Sequence, residues 1–428
     1  MLKNKGSIKD PDANIYYYNN KIFRKVNFSG EKKCEDLIGS DIIKQSIKNN
    51  FLINSELIND AELLKKFECK YLFNHKKIDF ISYPYEWNFL QLKKAAVFHL
   101  DFLEFLLSKD FHLTDASAFN IQFIGANPVY IDLFSIERYE EGNHWTAHKQ
   151  FCESFLNPLI LTYYKKIKFN NYYYGNLDGI SNLEIKKILN IFSFINPTLF
   201  LNIFLPAILE ERGNKKNIDN LKKIKKHGKF NKKTYIWMIK SLKKFIKKLN
   251  LKNDNLFWSR YKKENTYNEK QFLQKKEIIK EFASRVKPDL MCDIGCNYGE
   301  YAFTALENGA KKVIGFDFDT ASLEKAFIES EEKKVNFTPI YLDASKPFSN
   351  SGWFQKERYG FTERAKFNAL IALAFEHHLA IAKNIPLEGV VKWITSIAPN
   401  GLIEFVPKND ITVQIMLSNR KDIFDEYS

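Results

Sequence analysis

The chain has little that would cross-link it, anchor it in a membrane or hold zinc. Its 428 residues include five cysteines, Cys34, Cys69, Cys152, Cys292 and Cys296, an odd and scattered set that offers no disulfide framework. Cys292 and Cys296 lack a second pair and nearby histidines, so zinc is not expected there. No uncharged run approaches the length of a membrane span, and the N-terminus lacks the apolar core of a signal peptide. Reduced thiols in a cytoplasm fit these absences. Glycine is sparse at 17 residues, and the dinucleotide fingerprint Gly-x-Gly-x-x-Gly does not occur.

What is present is length, aromatic content and positive charge. The length exceeds one ordinary core and suggests two or three domains. Hydrophobic residues at 45% and aromatics at 15% describe a folded chain rather than a disordered one. The net charge of +14 is carried largely by lysine. Such a balance suits nucleic acid or an anionic membrane surface. Abundant Lys, Asn and Ile also follow from an AT-rich gene, which requires no partner.

The chain is organised around Asp289-Leu-Met-Cys-Asp-Ile-Gly-Cys-Asn-Tyr-Gly-Glu300. Residues 290–294 form a short apolar run, the pattern of a strand buried on both faces. The run ends at Asp293 and a turn with Gly295, Asn297 and Gly299, and helical spacing begins near Tyr301. A strand that breaks into a glycine turn and opens a helix brings free N–H groups close to a ligand. Asp293 would repel a pyrophosphate but suits a ligand with a positive amino group. The next strand, 313–317, ends in Asp317 about 20 residues on, where an acid can meet a ribose hydroxyl pair. A third run carries Asp343.

In this order, Asp293-x-Gly295-x-x-x-Gly299, then Asp317, then Asp343, the sequence resembles the class I S-adenosylmethionine-dependent methyltransferases. The resemblance implies S-adenosylmethionine as cofactor, with Gly295 and Gly299 around its methionine end, joined by Asn297. It places Asp317 at the ribose and Asp343 at the adenine amino group. The expected fold is α/β, with a Rossmann-like C-terminal sheet. Helix-length crossovers give five parallel strands in the order 3-2-1-4-5. The usual strands six and seven are not accounted for before Ser428, which leaves strand five, read at 402–406, as an edge open to self-association. Strand four, read at 367–373, delivers Ala374-Phe-Glu-His-His-Leu379. His377 and His378 therefore stand at a strand's carboxyl end, where substrate approaches in open parallel sheets. A neutral imidazole there can take a proton from a hydroxyl or amine. Glu404, an acid in a near-apolar run, should line the site or pair with Arg358, Arg364 or Arg420.

The first part of the chain reads differently. Residues 14–26 suggest two strands around Asn19-Asn20, a further strand is expected at 78–82, and an amphipathic helix at 90–107. After that helix come Asp115, Asn120 and Asp132, an order that resembles the protein-kinase catalytic loop and metal-binding Asp. The resemblance implies a base at Asp115 and metal ligands at Asn120 and Asp132. No glycine-rich phosphate loop precedes them, and neither Arg24 nor Lys25 falls clearly on an equivalent of the lysine-bearing third strand. A degenerate or regulatory kinase-like fold is the expectation.

The domains are thus read as 1–165, kinase-like α+β; 166–268, a helical, lysine-rich connector; and 269–428, the methyltransferase domain, C-terminally incomplete. In the connector, 212–252 holds repeated lysine pairs beside Trp237, Ile239, Leu242, Phe245, Ile246 and Leu249 at helical spacing. A solvated basic face is the commoner use of that pattern, with nucleic acid or an anionic membrane as the alternative. Tyr83-Pro-Tyr-Glu-Trp87, Gly352-Trp353 and Glu404-Phe-Val-Pro-Lys408 complete a resemblance to the methyltransferases related to rhizobial nodulation proteins. Asn368 departs from it, since an Asp commonly begins strand four. The function implied is methyl transfer to an oxygen or nitrogen of an unidentified acceptor, such as a glycan or small molecule. The alternatives are a phosphotransferase using Asp115, Asn120 and Asp132, or a binding protein with degenerate sites.

Overall fold

The computed structural model describes residues 1–213, 231–251, 269–418, 423–425 and 427. Five strands open the chain: β1 (Leu2–Lys3), β2 (Ala13–Tyr18), β3 (Lys21–Val26), β4 (Ser55–Leu57) and β5 (Leu72–His75). They form one antiparallel sheet in the order β1-β2-β3-β5-β4. Asn19 and Asn20, with φ of 47° and 57°, make the tight turn joining β2 to β3. Asparagine tolerates this left-handed backbone better than most residues, which is why the pair reads as a hairpin.

The long helix α1 (Phe89–Leu107) begins with a reciprocal cap. Gln91 N–H donates to Asn88 Oδ1 (2.9 Å) and Asn88 N–H donates to Gln91 Oε1 (3.0 Å). Leu92, Ala96, Leu100, Leu103 and Leu107, the face read from spacing, are all fully buried. Short strands follow: β6 (Phe111–Leu113), β7 (Ile121–Ile124), β8 (Asn127–Tyr130) and β9 (Ile136–Arg138), pairing as β6 with β9 and β7 with β8. The short helix α2 (Asn170–Gly175) and the basic helix α3 (Lys232–Lys248) complete the elements used below.

α3 corrects one expectation. Trp237 is 63% exposed, and Tyr235 takes its place in the buried face with Ile239, Leu242 and Ile246. The basic face is largely solvated, with Lys233, Lys244, Lys247 and Lys248 exposed, while Lys243 pairs with Asp101 (2.7 Å) and Glu104 (2.5 Å) of α1 and Lys232 with Asp110 (2.6 Å) beyond it. The lysine pairs at 222–226 and the aromatic residues at 257–267 lie outside the described residues.

From α4 (Glu269–Val286) the fold is α/β. Strand β10 (Met291–Ile294) is followed by α5 (Glu300–Glu307), β11 (Val313–Asp317), α6 (Thr320–Lys333) and β12 (Phe337–Tyr341). Then come β13 (Ala369–Ala372), α7 (Glu376–Ala380) and β14 (Asn400–Ile403). All pairings are parallel, in the order β12-β11-β10-β13-β14. Every residue of the central strand β10 is buried, as a strand covered on both faces must be. Asn368, where an acid was expected, is a bridging residue. Its Oδ1 accepts from Leu290 N–H (2.9 Å) while its own N–H donates to Leu290 O (2.9 Å). β14 begins and ends earlier than the apolar run suggested and pairs with β13 alone among the described residues.

One buried cluster runs through both halves of the chain. The expected strand at 78–82 is a segment of this contact: Phe80 stacks against Phe367 and meets Phe316 edge-on. Its apolar residues serve packing between halves rather than a sheet. Nearby, Glu86 of the Tyr83–Trp87 motif forms a buried ion pair with Arg364, whose Nε also donates to Tyr359 O (2.9 Å). Tyr359 N–H donates to Tyr83 Oη (3.0 Å). No described helix is long and apolar enough to cross a membrane.

Candidate cofactor site

The turn after β10 is shaped by backbone that glycine tolerates best. Gly295, Asn297 and Gly299 have φ of 77°, 48° and 82°. A side chain at Gly295 would also press on the ring of Phe375, and one at Gly299 would overlap Phe337 at 2.5 Å. Both glycines are therefore required by packing as well as by turn geometry. The N–H groups of Gly295 and Cys296 both donate to Phe316 O, at 2.8 and 3.0 Å, so the turn is held against the end of β11.

Three carboxylates stand at the ends of β10, β11 and β12. Asp293 is 2% exposed, and its Oδ2 has no hydrogen-bond partner in the protein. Burial pushes its pKa up to about 8, and the charge of Asp317 adds to the shift. Asp317 is anchored: Oδ2 accepts from Asn297 N–H (2.9 Å) and Oδ1 from Asp319 N–H (2.8 Å). Burial raises its pKa as well, against these backbone hydrogen bonds. Asp343 lies just past β12, where its Oδ1 accepts from the N–H (3.1 Å) and hydroxyl (2.6 Å) of Ser345. A pocket of about 310 Å³ opens beside it, lined in part by Tyr341, Lys346 and Phe348.

β13 ends in a strained residue. Ala374 has φ of 47°, a conformation that costs a non-glycine residue energy and clusters at functional turns. α7 begins two residues later, just past the end of β13. His377 is buried, and its Nδ1 is 3.9 Å from Glu376 Oε1. His378 reaches solvent, its ring 4.2 Å from that of His377. Packing around the imidazole and the neighbouring His377 lower its pKa to about 4, so it is neutral at pH 7. Sequence reasoning passed over Glu376, whose Oε1 accepts from Val406 N–H (2.6 Å) and from Tyr427 Oη–H (3.1 Å). Its position directly before two histidines at the end of an apolar run was the available signal. Glu404 pairs with Lys275 (2.7 Å) rather than with an arginine, because α4 runs beside β14. Arg364 is committed to Glu86, and Arg420 lies outside the described residues.

Of the residues that resemble a kinase loop, Asp115 and Asn120 are brought together, and Ile131, the neighbour of Asp132, donates its N–H to Asn120 O (2.9 Å). Asp115 Oδ1 accepts from Ser117 N–H (2.7 Å) and Oδ2 from Asn120 Nδ2 (3.0 Å). Arg24 does lie within the third strand of its sheet, and its guanidinium donates to Asp132 Oδ1 (2.9 Å), Ile131 O (3.2 Å) and His75 Nε2 (3.2 Å). Because arginine only donates, His75 must carry its proton on Nδ1, which faces Ser55 Oγ at 2.7 Å. Burial and Arg24 lower the His75 pKa to about 3. Among the described residues, no three His, Cys, Asp or Glu side chains group as metal ligands.

The whole chain is 39% identical to the nodulation protein NoeA of Rhizobium meliloti (strain 1021) over 428 residues, covering 99% of this chain and 89% of that protein. No family model matches. Partial likenesses to solved structures include magnesium protoporphyrin IX methyltransferase from Synechocystis PCC 6803 with bound SAH, at 16% identity, 38% of this chain and 72% of that one, TM-score 0.26. The methyltransferase domain of bacterial CtHen1 gives 13% identity over 32% and 66%, TM-score 0.25. WbdD gives 19% over 32% and 29%, TM-score 0.24. At such scores these likenesses add nothing to the fold described above.

Proposed function

The chain belongs to the family of the nodulation protein NoeA, and we propose that its C-terminal half transfers a methyl group from S-adenosylmethionine. The observation that carries this reading is Asp293, a fully enclosed carboxyl with one oxygen left unpartnered at the end of the central strand. A cationic amino group would pair with that oxygen and return the carboxyl to its charged form. Asp317, held by two backbone N–H groups, is oriented to accept from ribose hydroxyls. Asp343 stands where an exocyclic amino group would meet it. S-adenosylmethionine supplies an electrophilic methyl group when bound; positioning of the acceptor does most of the rest. His378, neutral and open to solvent, is the base that takes the acceptor's proton, and His377 and Glu376 position it from beneath. The acceptor offers an oxygen or nitrogen, on a glycan or other small molecule.

In this reading the first half is a scaffold rather than a phosphotransferase, because Arg24 occupies the carboxylate that a metal would need. The edge of β14 is the surface where a second copy could add a strand. Nucleic acid is not favoured as a partner, since Lys240 and Lys243 of α3 are taken up by acids of α1 and a solvated basic face accounts for the rest. Calorimetry of the full chain with S-adenosylhomocysteine, alongside transfer of labelled methyl from S-adenosylmethionine, tests the proposal. Binding is expected; a folded protein with no affinity for either compound would overturn it.

A further inference from the structure

The pocket beside Asp343 is not built by the C-terminal half alone. Asn171 and Tyr174 of α2 line it together with Tyr341 and Phe348. The Tyr174 ring lies 4.6 Å from that of Phe348, and its hydroxyl is 2.9 Å from Ser349 Oγ. Just before α2, Lys168 Nζ donates to Phe318 O (3.2 Å), one residue past Asp317, and stands 5.8 Å from the Tyr341 ring. This segment of the first half thus covers the carboxyl ends of both β11 and β12.

α2 is fixed there. Asn170, 2% exposed, donates through Nδ2 to Tyr85 O and Trp87 O, both at 2.9 Å. Those carbonyls belong to the Tyr83–Trp87 motif, whose Glu86 is paired with Arg364. Tyr85 packs against both Tyr174 and Phe348, at 5.2 and 4.8 Å. The motif therefore does more than fill space between halves: it sets the distance of the Tyr174 wall from Asp343.

We infer that Asn171 and Tyr174 are nucleoside-binding residues, and that the first half of the chain supplies one side of the purine pocket. The inference rests on the cofactor reading above. Three aromatic rings, Tyr174, Tyr341 and Phe348, with the Asp343 carboxylate, the Asn171 amide and the Lys346 ammonium (3.9 Å from Asp343) at their rim, suit a flat base bearing both donors and acceptors. The volume is within the range of small-molecule sites, roughly 300–1,000 Å³.

Two measurements on the full chain test it. In hydrogen exchange, S-adenosylhomocysteine should slow the amides of 170–175 together with those of the glycine turn. In calorimetry, Tyr174→Ala should weaken S-adenosylhomocysteine roughly tenfold, as loss of a base-stacking ring does. The same factor should apply to 5′-methylthioadenosine, which keeps the nucleoside and lacks the amino acid. Asn171→Ala, at an exposed position, should weaken both probes by a smaller common factor without lowering the melting temperature. If the wild type binds but 170–175 exchange unchanged and both variants bind normally, this inference fails while the cofactor reading stands. A wild type that binds neither probe overturns both.

Discussion

Two sets of acids occupy the ends of strands in this chain, and they differ in what they leave unsatisfied. In the first half, Asp115 accepts from Ser117 and Asn120, and Asp132 accepts from Arg24 and from Phe134 N–H (3.3 Å). In the second half, Asp317 is oriented by backbone, yet Asp293 beside it keeps a buried oxygen with no partner. Motif order alone does not separate the two sets. A buried polar atom without a partner is costly, and one at the end of a central parallel strand, where ligands bind, is a place for a ligand to complete. Asp132 is braced through one oxygen, Oδ1, which both of its donors share.

The comparison is broken most directly at Arg24. Arg24→Ala should cost about 2 kcal/mol of stability, because it leaves buried His75 Nε2 without its donor and half-buried Asp132 without its cation. Urea unfolding measures this, and ATP with magnesium should raise the melting temperature of neither wild type nor variant. A magnesium-dependent rise would return the first half to phosphoryl chemistry.

Asp317→Ala should do the reverse. It should weaken S-adenosylhomocysteine by about 1.5–3 kcal/mol, the contribution of a charged acceptor, with little change in urea midpoint. A loss of stability with unchanged affinity would make the second set a brace as well.

The smallest effects are in pH, and they run in opposite directions. The folded pKa of Asp293, about 8, lies above the unfolded value. Its contribution to the ligand-free fold is present at low pH and is lost as pH rises toward 8. Pairing with a cationic amino group requires the charged form, so S-adenosylhomocysteine affinity should rise from pH 6 to 8 with release of a proton. Calorimetry in buffers of different ionisation enthalpy counts that proton, and Asp293→Asn should abolish the rise. His75 has a folded pKa of about 3, below its unfolded value, so stability should fall as pH drops from about 6.5 toward 3. His75→Gln should make that limb of a urea-midpoint profile shallower, with buried His99, also lowered to about 3, supplying part of the remainder.

Much of the second half was legible because a parallel sheet buries its strands on both faces and punctuates them with glycine and acid. The apolar run before Gly295 and the acid at Asp317 express that geometry locally. Residues 78–82 and Trp237 misled for a shared reason: apolar side chains announce burial without saying against what. Phe80 is buried by Phe316 and Phe367, which lie far along the chain. The wall at Tyr174 was invisible for the same reason, since its place depends on a motif some 90 residues earlier and a loop some 175 later. Arg24 could be named from sequence, but its reach to Asp132 depends on the approach of two sheets.

The Glu86–Arg364 pair has a consequence for synthesis. The two residues are 278 positions apart. At roughly 5–20 residues per second, a ribosome needs on the order of 15–55 seconds to pass from one to the other. Throughout that interval the nascent Glu86 has no guanidinium to meet, and Phe80 has neither of its later aromatic neighbours. The first half therefore emerges as an unfinished body with an acid and a sticky aromatic face exposed. It reaches its final form only when most of the second half has left the exit tunnel. A chaperone that shields the waiting face across that interval should raise the yield of folded protein.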